Sequence, residues 1–126
     1  MADKVQRFED LFIWQKALEL SQEIYKVSAT DSFFRDFGLR DQIRRASVSV
    51  MSNIAEGFER YSNQDFARFL AIARGSCAEV RSQLYLAKSL DYIRADEFQR
   101  LYDLCSMLSG SIGKFRASMN KAGGRT

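Results

Sequence analysis

Residues 66–87 read FARFLAIARGSCAEVRSQLYLA. Phe66, Leu70, Ala73, Cys77, Val80, Leu84 and Ala87 recur at alternating steps of four and three. Such spacing places every one of these side chains on a single stripe of a helix, the sustained heptad seam of a helical bundle. Ile72 and Leu86 lie beside the seam and are expected to broaden its apolar face. Ser62 and Asn63 stand ahead of it as N-cap residues, with Asp65 three after Ser62 in capping-box fashion. A helix is therefore expected over about 63–90.

The same period recurs on both sides of this stretch. Upstream, Ile13, Ala17, Leu20, Ile24 and Val27 form a stripe widened by Trp14, Leu18 and Tyr25, which predicts a helix over 11–28 with Asp10 as its N-cap. Leu39, Ile43, Ala46, Val50, Ile54 and Phe58 share a face of a second helix, expected over 33–57 and closed by Gly57 in the left-handed conformation. Downstream, Phe98, Leu101, Cys105, Leu108, Ile112, Phe115 and Met119 repeat the seam over 95–119, after a turn at 91–95. Asp96 and Glu97 sit in its first turn, where the helix dipole favours negative charge. The expectation is an all-α chain, one up-down-up-down antiparallel four-helix bundle domain over 1–126 with frayed ends at 1–8 and 120–126. The absence of proline agrees, since a helix interior excludes that residue at a cost of roughly 3 kcal/mol.

A net charge of +3 is mildly basic, but its distribution is uneven. Residues 1–36 are net acidic, whereas only Lys114, Arg116, Lys121 and Arg125 carry charge after Asp103. No apolar run approaches the roughly 18 residues of a membrane span, and the charged start MADKVQRFED lacks the apolar core of a signal peptide. A cytoplasmic location is expected on that reading. Cys77 and Cys105 fall on apolar seams and read as small core residues rather than a disulfide.

Histidine is absent, which removes the usual neutral-pH acid–base group and the commonest metal ligand. No glycine-rich phosphate loop, Cys-x-x-Cys pair or nucleophile elbow is present. A di-metal carboxylate site in a bundle needs Glu-x-x-His, and neither Glu56 nor Glu79 has such a partner. The reading is of a protein that is not an enzyme and uses no cofactor or metal.

Two polar groupings remain. Arg44, Arg45, Asn53, Glu56, Ser76 and Glu79 lie near the seams of the second and third helices. A partly buried charge must be paired, so a structural network is expected in which Glu79 or Glu56 pairs with Arg44 or Arg45 and fixes helix register. Ala71, Ala73, Gly75, Ser76 and Ala78 make a small-residue patch that suits close approach of another helix, within the bundle or from a second subunit. Separately, Arg74, Arg81 and Lys88 are spaced by seven residues and line one flank of the third helix. Their stems can cover the core edge. Alternatively they form a phosphate-tracking stripe continued by Lys114, Arg116 and Lys121, and these six are the candidate nucleic-acid-binding residues.

The chain resembles the four-helix-bundle proteins of the 23S rRNA intervening-sequence family. Three motifs carry the resemblance: Asp10-Leu11 with Trp14-Gln15-Lys16-Ala17; Leu39 to Gly57, with Gln42-Ile43-Arg44-Arg45-Ala46 and Asn53-Ile54-Ala55-Glu56-Gly57; and Phe69-Leu70 through Ala73-Arg74-Gly75-Ser76 to Glu79. It extends from Asp10 to about Met119. It implies a small bacterial bundle without catalytic residues, some of whose relatives are encoded inside ribosomal RNA genes, and a ring-like homopentamer. A similar protein, the accessory variability determinant of diversity-generating retroelements, implies nucleic acid and a reverse transcriptase as partners. The chain departs from the family in the loop before the second helix, where Phe33-Phe34 replaces an aromatic residue followed by proline.

Five copies in a ring would concentrate the modest charge of each chain into a field that steers an anionic partner. Ile72, Leu86, Phe12 and Phe34 are the candidate subunit contacts. The functional expectation is a non-catalytic oligomeric module that binds RNA or DNA through a basic surface. Its rival is a protein–protein interaction scaffold without nucleic-acid binding.

Overall fold

Four long helices carry the apolar seams, and each borders two others. The computed structural model describes residues 5–121, and side chains through 119. A 3-10 turn at Phe8–Asp10 leads into α1 (Phe12–Val27), a short α2 (Asp31–Arg35), α3 (Phe37–Phe58), α4 (Asn63–Ser89) and α5 (Ala95–Lys121). No strand occurs among the described residues. Helix α3 packs against both α1 and α4, while α5 packs against both α4 and α1.

The core sits where the four seams converge. Leu20 and Ile24 of α1, Ile43, Val50 and Ile54 of α3, Leu70 and Leu84 of α4, and Leu101, Leu108 and Ile112 of α5 are fully buried. Each such side chain contributes roughly 1.5–3 kcal/mol of burial before conformational entropy is subtracted. Every seam residue of the third-helix reading is buried. Ile72 and Leu86 are not: they stand 44% and 48% exposed, so the apolar face of α4 is narrower than its composition suggests.

Three local readings are corrected. The helix expected over 33–57 is two helices. Asp36 leaves helical geometry and its carboxylate accepts from the Leu39 amide at 3.1 Å, so it caps a new helix where the apolar spacing alone runs on. The Tyr92 hydroxyl donates to the same carboxylate at 2.8 Å, and Phe33, fully buried, stacks on the Tyr92 ring. The short α2 is thereby tied to the α4–α5 connection. Second, Asp10 does not cap α1. It ends the 3-10 turn, and Leu11 occupies the cap position without a side-chain bond. Third, Gly57 does not terminate α3 in a left-handed conformation; it is buried inside the helix, which runs to Phe58.

The Ser62 cap acts as read, and the structure adds two further helix-end devices. Ser62 accepts from the Asp65 amide at 3.1 Å at the start of α4. Glu97 accepts from the Arg94 amide at 2.9 Å at the start of α5. Helix α4 ends in a Schellman motif, with Asp91 at φ 59° and the Tyr92 amide donating to the Ala87 carbonyl at 2.9 Å. A short polar side chain tolerates that left-handed geometry better than a branched one. Helix α5 continues through Lys121, past the expected end at 119, and the remaining tail lies outside the described residues, as do residues 1–4.

Candidate nucleic-acid interface

The α3–α4 contact is set by small groups. Gly57 faces Phe66 and Phe69 near one end, Ser49 and Ser76 share a hydroxyl hydrogen bond at 2.9 Å in the middle, and Gln83 donates to Gln42 at 3.3 Å near the other. These pairs advance in opposite directions along the two helices. Asn53 donates to the Ser49 carbonyl at 2.8 Å and to the Ser49 hydroxyl at 3.0 Å, which joins it to the same polar seam. Of the small-residue patch, Ala73 and Ser76 face inward. Ala71, Gly75 and Ala78 are exposed, and nothing lies within 4 Å of a Cβ placed on Gly75.

The expected network forms only in part. Asn53 and Ser76 meet through Ser49, but no acid joins them. Glu56 pairs with Arg60 just past the end of its own helix at 2.7 Å, and Glu79 is exposed without an ion pair among the described residues. Neither reaches Arg44 or Arg45, which point away from α4. Arg44 turns toward α1, where its Nε donates to the Ser28 hydroxyl at 2.8 Å and its Nη2 to the Tyr25 carbonyl at 3.3 Å. The guanidinium lies 4.4 Å from the Tyr25 ring centre. Arg45 is exposed and makes no hydrogen bond or ion pair among the described residues. The register-fixing ion pair is replaced by an arginine that satisfies the C-terminal end of α1, where a cation complements the helix dipole.

The structure gathers four of the six candidate cations on the α4–α5 seam. Arg74 leans onto α5 with its Nε 3.5 Å from the Ser109 hydroxyl, over Gly113, where a Cβ would meet the guanidinium at 3.2 Å. Arg116 reaches back from α5 and donates to the Ala67 carbonyl at 3.0 Å. Lys88 places its ammonium 4.7 Å from the Phe98 ring centre, within an aromatic group that includes Tyr85 and Tyr102. Arg81 is half-buried between them, near the two cysteines. Lys114 is separate: it lies on the α1 side of α5, lining a cleft of about 460 Å³ with Asp10, Phe12 and Phe115. The side chain of Lys121 lies outside the described residues.

None of Arg74, Arg81, Lys88, Lys114 or Arg116 pairs with a carboxylate among the described residues. Several acids are engaged by other cations. Glu23 is bound by Arg100 across α1 and α5, and that hydrogen bond holds its carboxyl below the ordinary value. Asp96 is held low in the same way by Arg94. Asp65 pairs with Arg68, and Asp41 with Arg40. Along the seam below the cations, the Cys105 thiol donates to the Cys77 carbonyl at 3.2 Å. Contact with Cys77 and burial push the Cys105 thiol up, so both cysteines behave as free core residues. No group of three or more Cys, Asp or Glu able to hold a metal ion occurs among the described residues. No described helix is long and apolar enough to cross a membrane.

A second basic surface escaped the sequence reading. Arg40 sits 4.6 Å from the Phe34 ring centre and 4.8 Å from that of Phe37, and donates to the Phe34 carbonyl at 3.1 Å. Phe34, Phe37 and Tyr25 are all exposed. The local signal was the run of arginines at 40, 44 and 45, one or two turns after exposed aromatics; what hid it was the assignment of Arg44 and Arg45 to α4.

Comparison with solved structures finds the same fold in a crystal structure of a protein with unknown function from the S23 ribosomal protein family of Bacteroides thetaiotaomicron VPI-5482. The two share 23% identity with a TM-score of 0.76, over 82% of this chain and 97% of that one. Comparison with curated proteins gives no match. The sequence pattern of the 23S rRNA-intervening sequence proteins matches residues 9–114. That span takes in three of the seams, most of the fourth and the motifs around Arg44 and Arg74, so the chain belongs to the 23S rRNA-intervening sequence protein family.

Proposed function

We propose that this protein is a non-catalytic, oligomeric binder of RNA or other nucleic acid, acting in the cytoplasm through the basic seam between α4 and α5. The observation that carries the reading is the pairing pattern. Arg40, Arg60, Arg68, Arg94 and Arg100 are each matched to a carboxylate, while Arg74, Arg81, Lys88 and Arg116 share one seam with no acid bound to them among the described residues. Unpaired cations in a row can neutralise successive phosphates without reading bases.

The four long helices form an up-down-up-down antiparallel bundle in this reading, with α2 as a brace. The opposed advance of the α3–α4 pairs supports it, as do the matching α4–α5 pairs Arg74–Ser109 and Ala67–Arg116. Copies assemble as a homopentamer. The exposed Phe12, Ile72 and Leu86 supply apolar contact surface for it. A protein partner such as a reverse transcriptase would bind the assembled ring. The scaffold reading draws on the same exposed residues and needs no role for the cations.

Titration with a structured RNA at two salt concentrations tests the proposal. Binding that weakens steeply with salt is expected. No binding at low salt would overturn it, and stoichiometric capture of a single protein in its place would favour the scaffold. Light scattering of the purified chain tests the assembly: a monomer would contradict it.

A further inference from the structure

We infer that the cleft between the C-terminal end of α1 and the first half of α3 is a second binding site, for a single nucleotide unit. Its phosphate would sit on Arg44 and Arg45, and its base against Tyr25 and Val48. The inference shares with the reading above only the chemical class of the ligand. It concerns a different face, formed by α1 and α3 rather than α4 and α5.

The cleft is lined by Tyr25, Asp41, Arg44, Arg45 and Val48 and measures about 360 Å³. That volume falls in the range of small-ligand sites, roughly 300–1,000 Å³. One of its cations is already oriented. Arg44 is fixed through Nε on Ser28, itself fully buried and bonded to the Ile24 carbonyl at 2.6 Å, and through Nη2 on the Tyr25 carbonyl. Those bonds hold one edge of the guanidinium and leave Nη1 without a partner among the described residues. A planar fork held in this way loses little freedom on meeting an oxyanion.

The second cation is uncommitted. Arg45 lines the cleft and makes no contact that the fold requires. The one acid present, Asp41, accepts from Arg40 at 2.9 Å and is neutralised by it. Two guanidinium charges therefore face the cleft uncompensated. The Tyr25 hydroxyl adds a donor with no partner among the described residues.

The apolar walls specify more than an anion. Tyr25 is 45% exposed, and beside it the exposed Phe34 and Phe37 rings are stacked with Arg40. Aromatic rings layered with guanidinium planes form a platform on which unpaired bases stack, as in single-strand-binding surfaces. Duplex RNA hides its bases from such a platform, so an unpaired strand or a free nucleotide fits and a regular duplex does not.

Arg45→Glu is the informative variant, because Arg45 supports nothing in the fold. Fluorescence anisotropy would follow a labelled 12-nucleotide single-stranded RNA, with uridine monophosphate as competitor, on wild type, Arg45→Glu and Arg74→Ala/Arg81→Ala/Lys88→Ala. Arg45→Glu is expected to weaken strand binding at least tenfold at low salt, and Arg45→Ala to lower the logarithmic salt slope by about 0.7 for one lost phosphate of a single strand. Displacement of the strand by the mononucleotide from wild type, and not from Arg45→Glu, would place a free nucleotide in the cleft. Lack of displacement together with Arg45 sensitivity would assign it to a residue of the strand. Unchanged binding in Arg45→Glu would overturn the inference, and leave the α4–α5 reading standing if the triple variant binds weakly. Equal, Arg45-sensitive binding of polyglutamate would also overturn it, by showing that the cleft takes any polyanion.

Discussion

Gly57 of α3 lies so close to Phe69 of α4 that a Cβ built on it would stand 2.7 Å from the Phe69 Cβ and 2.9 Å from the Phe66 ring. The two helices meet here without space for a methyl group. Gly57→Ala is therefore expected to destabilise the protein by about 1–3 kcal/mol, the usual cost of overpacking a tight contact. Gly75 is the control. It is helical and open, so Gly75→Ala should stabilise by about 0.4–1 kcal/mol through the unfolded chain. Urea melts of the two variants would separate the positions, and equal effects would contradict the packing described.

Arg44 and Arg45 are neighbours in sequence with opposite roles. Arg44→Ala removes two charged hydrogen bonds to Ser28 and Tyr25 and should cost about 1.5–3 kcal/mol. Arg45→Ala and Glu79→Gln, at exposed positions outside any described ion pair, should stay within about 0.5 kcal/mol of wild type. Thermal melts at fixed protein concentration check this.

The Glu23–Arg100 pair gives the fold an acid-sensitive tie between α1 and α5. Because the carboxyl is held below its ordinary value of 4.5, its stabilisation is fully present above that value and fades as pH falls through the folded-state value. An NMR titration should find Glu23 ionising below the ordinary carboxylate range in wild type and rising toward it in Arg100→Ala, where Lys26 remains as its cation. An unchanged titration in the variant would show that the pair does not form.

Cys77 and Cys105 are both fully buried, and burial resists thiolate formation at Cys105. Neither thiol should react with iodoacetamide in the native protein near neutral pH, and both should react after unfolding in guanidinium. Rapid labelling of the folded protein would contradict their placement on the α4–α5 seam.

The seams were legible because heptad spacing records burial directly: the seam residues from Ile13 to Ile112 are buried, with Phe58 alone only partly so. The break at Asp36 was not, because apolar spacing continues through Phe33, Phe37 and Leu39 while the capping carboxylate acts three residues downstream. Gly57 read as a helix stop, since a sequence does not distinguish a glycine needed for its backbone freedom from one needed for its missing Cβ. The candidate site was legible as a row on α4 continued by cations of the last helix; the structure sets Arg116 beside that row and Lys114 on the α1 side of α5. The partner of Arg44 lies 16 residues away at the cap of another helix, a contact that no local pattern encodes. Two acids in the sequence neighbourhood made a false pairing look reasonable.

The salt dependence of binding to a structured RNA, compared between wild type and Arg74→Ala/Arg81→Ala/Lys88→Ala, tests the central claim most directly. The proposal predicts that the logarithmic salt slope falls by about 0.9 for each duplex phosphate contact removed, with the fold intact by circular dichroism. An identical slope and affinity in the two proteins would contradict it.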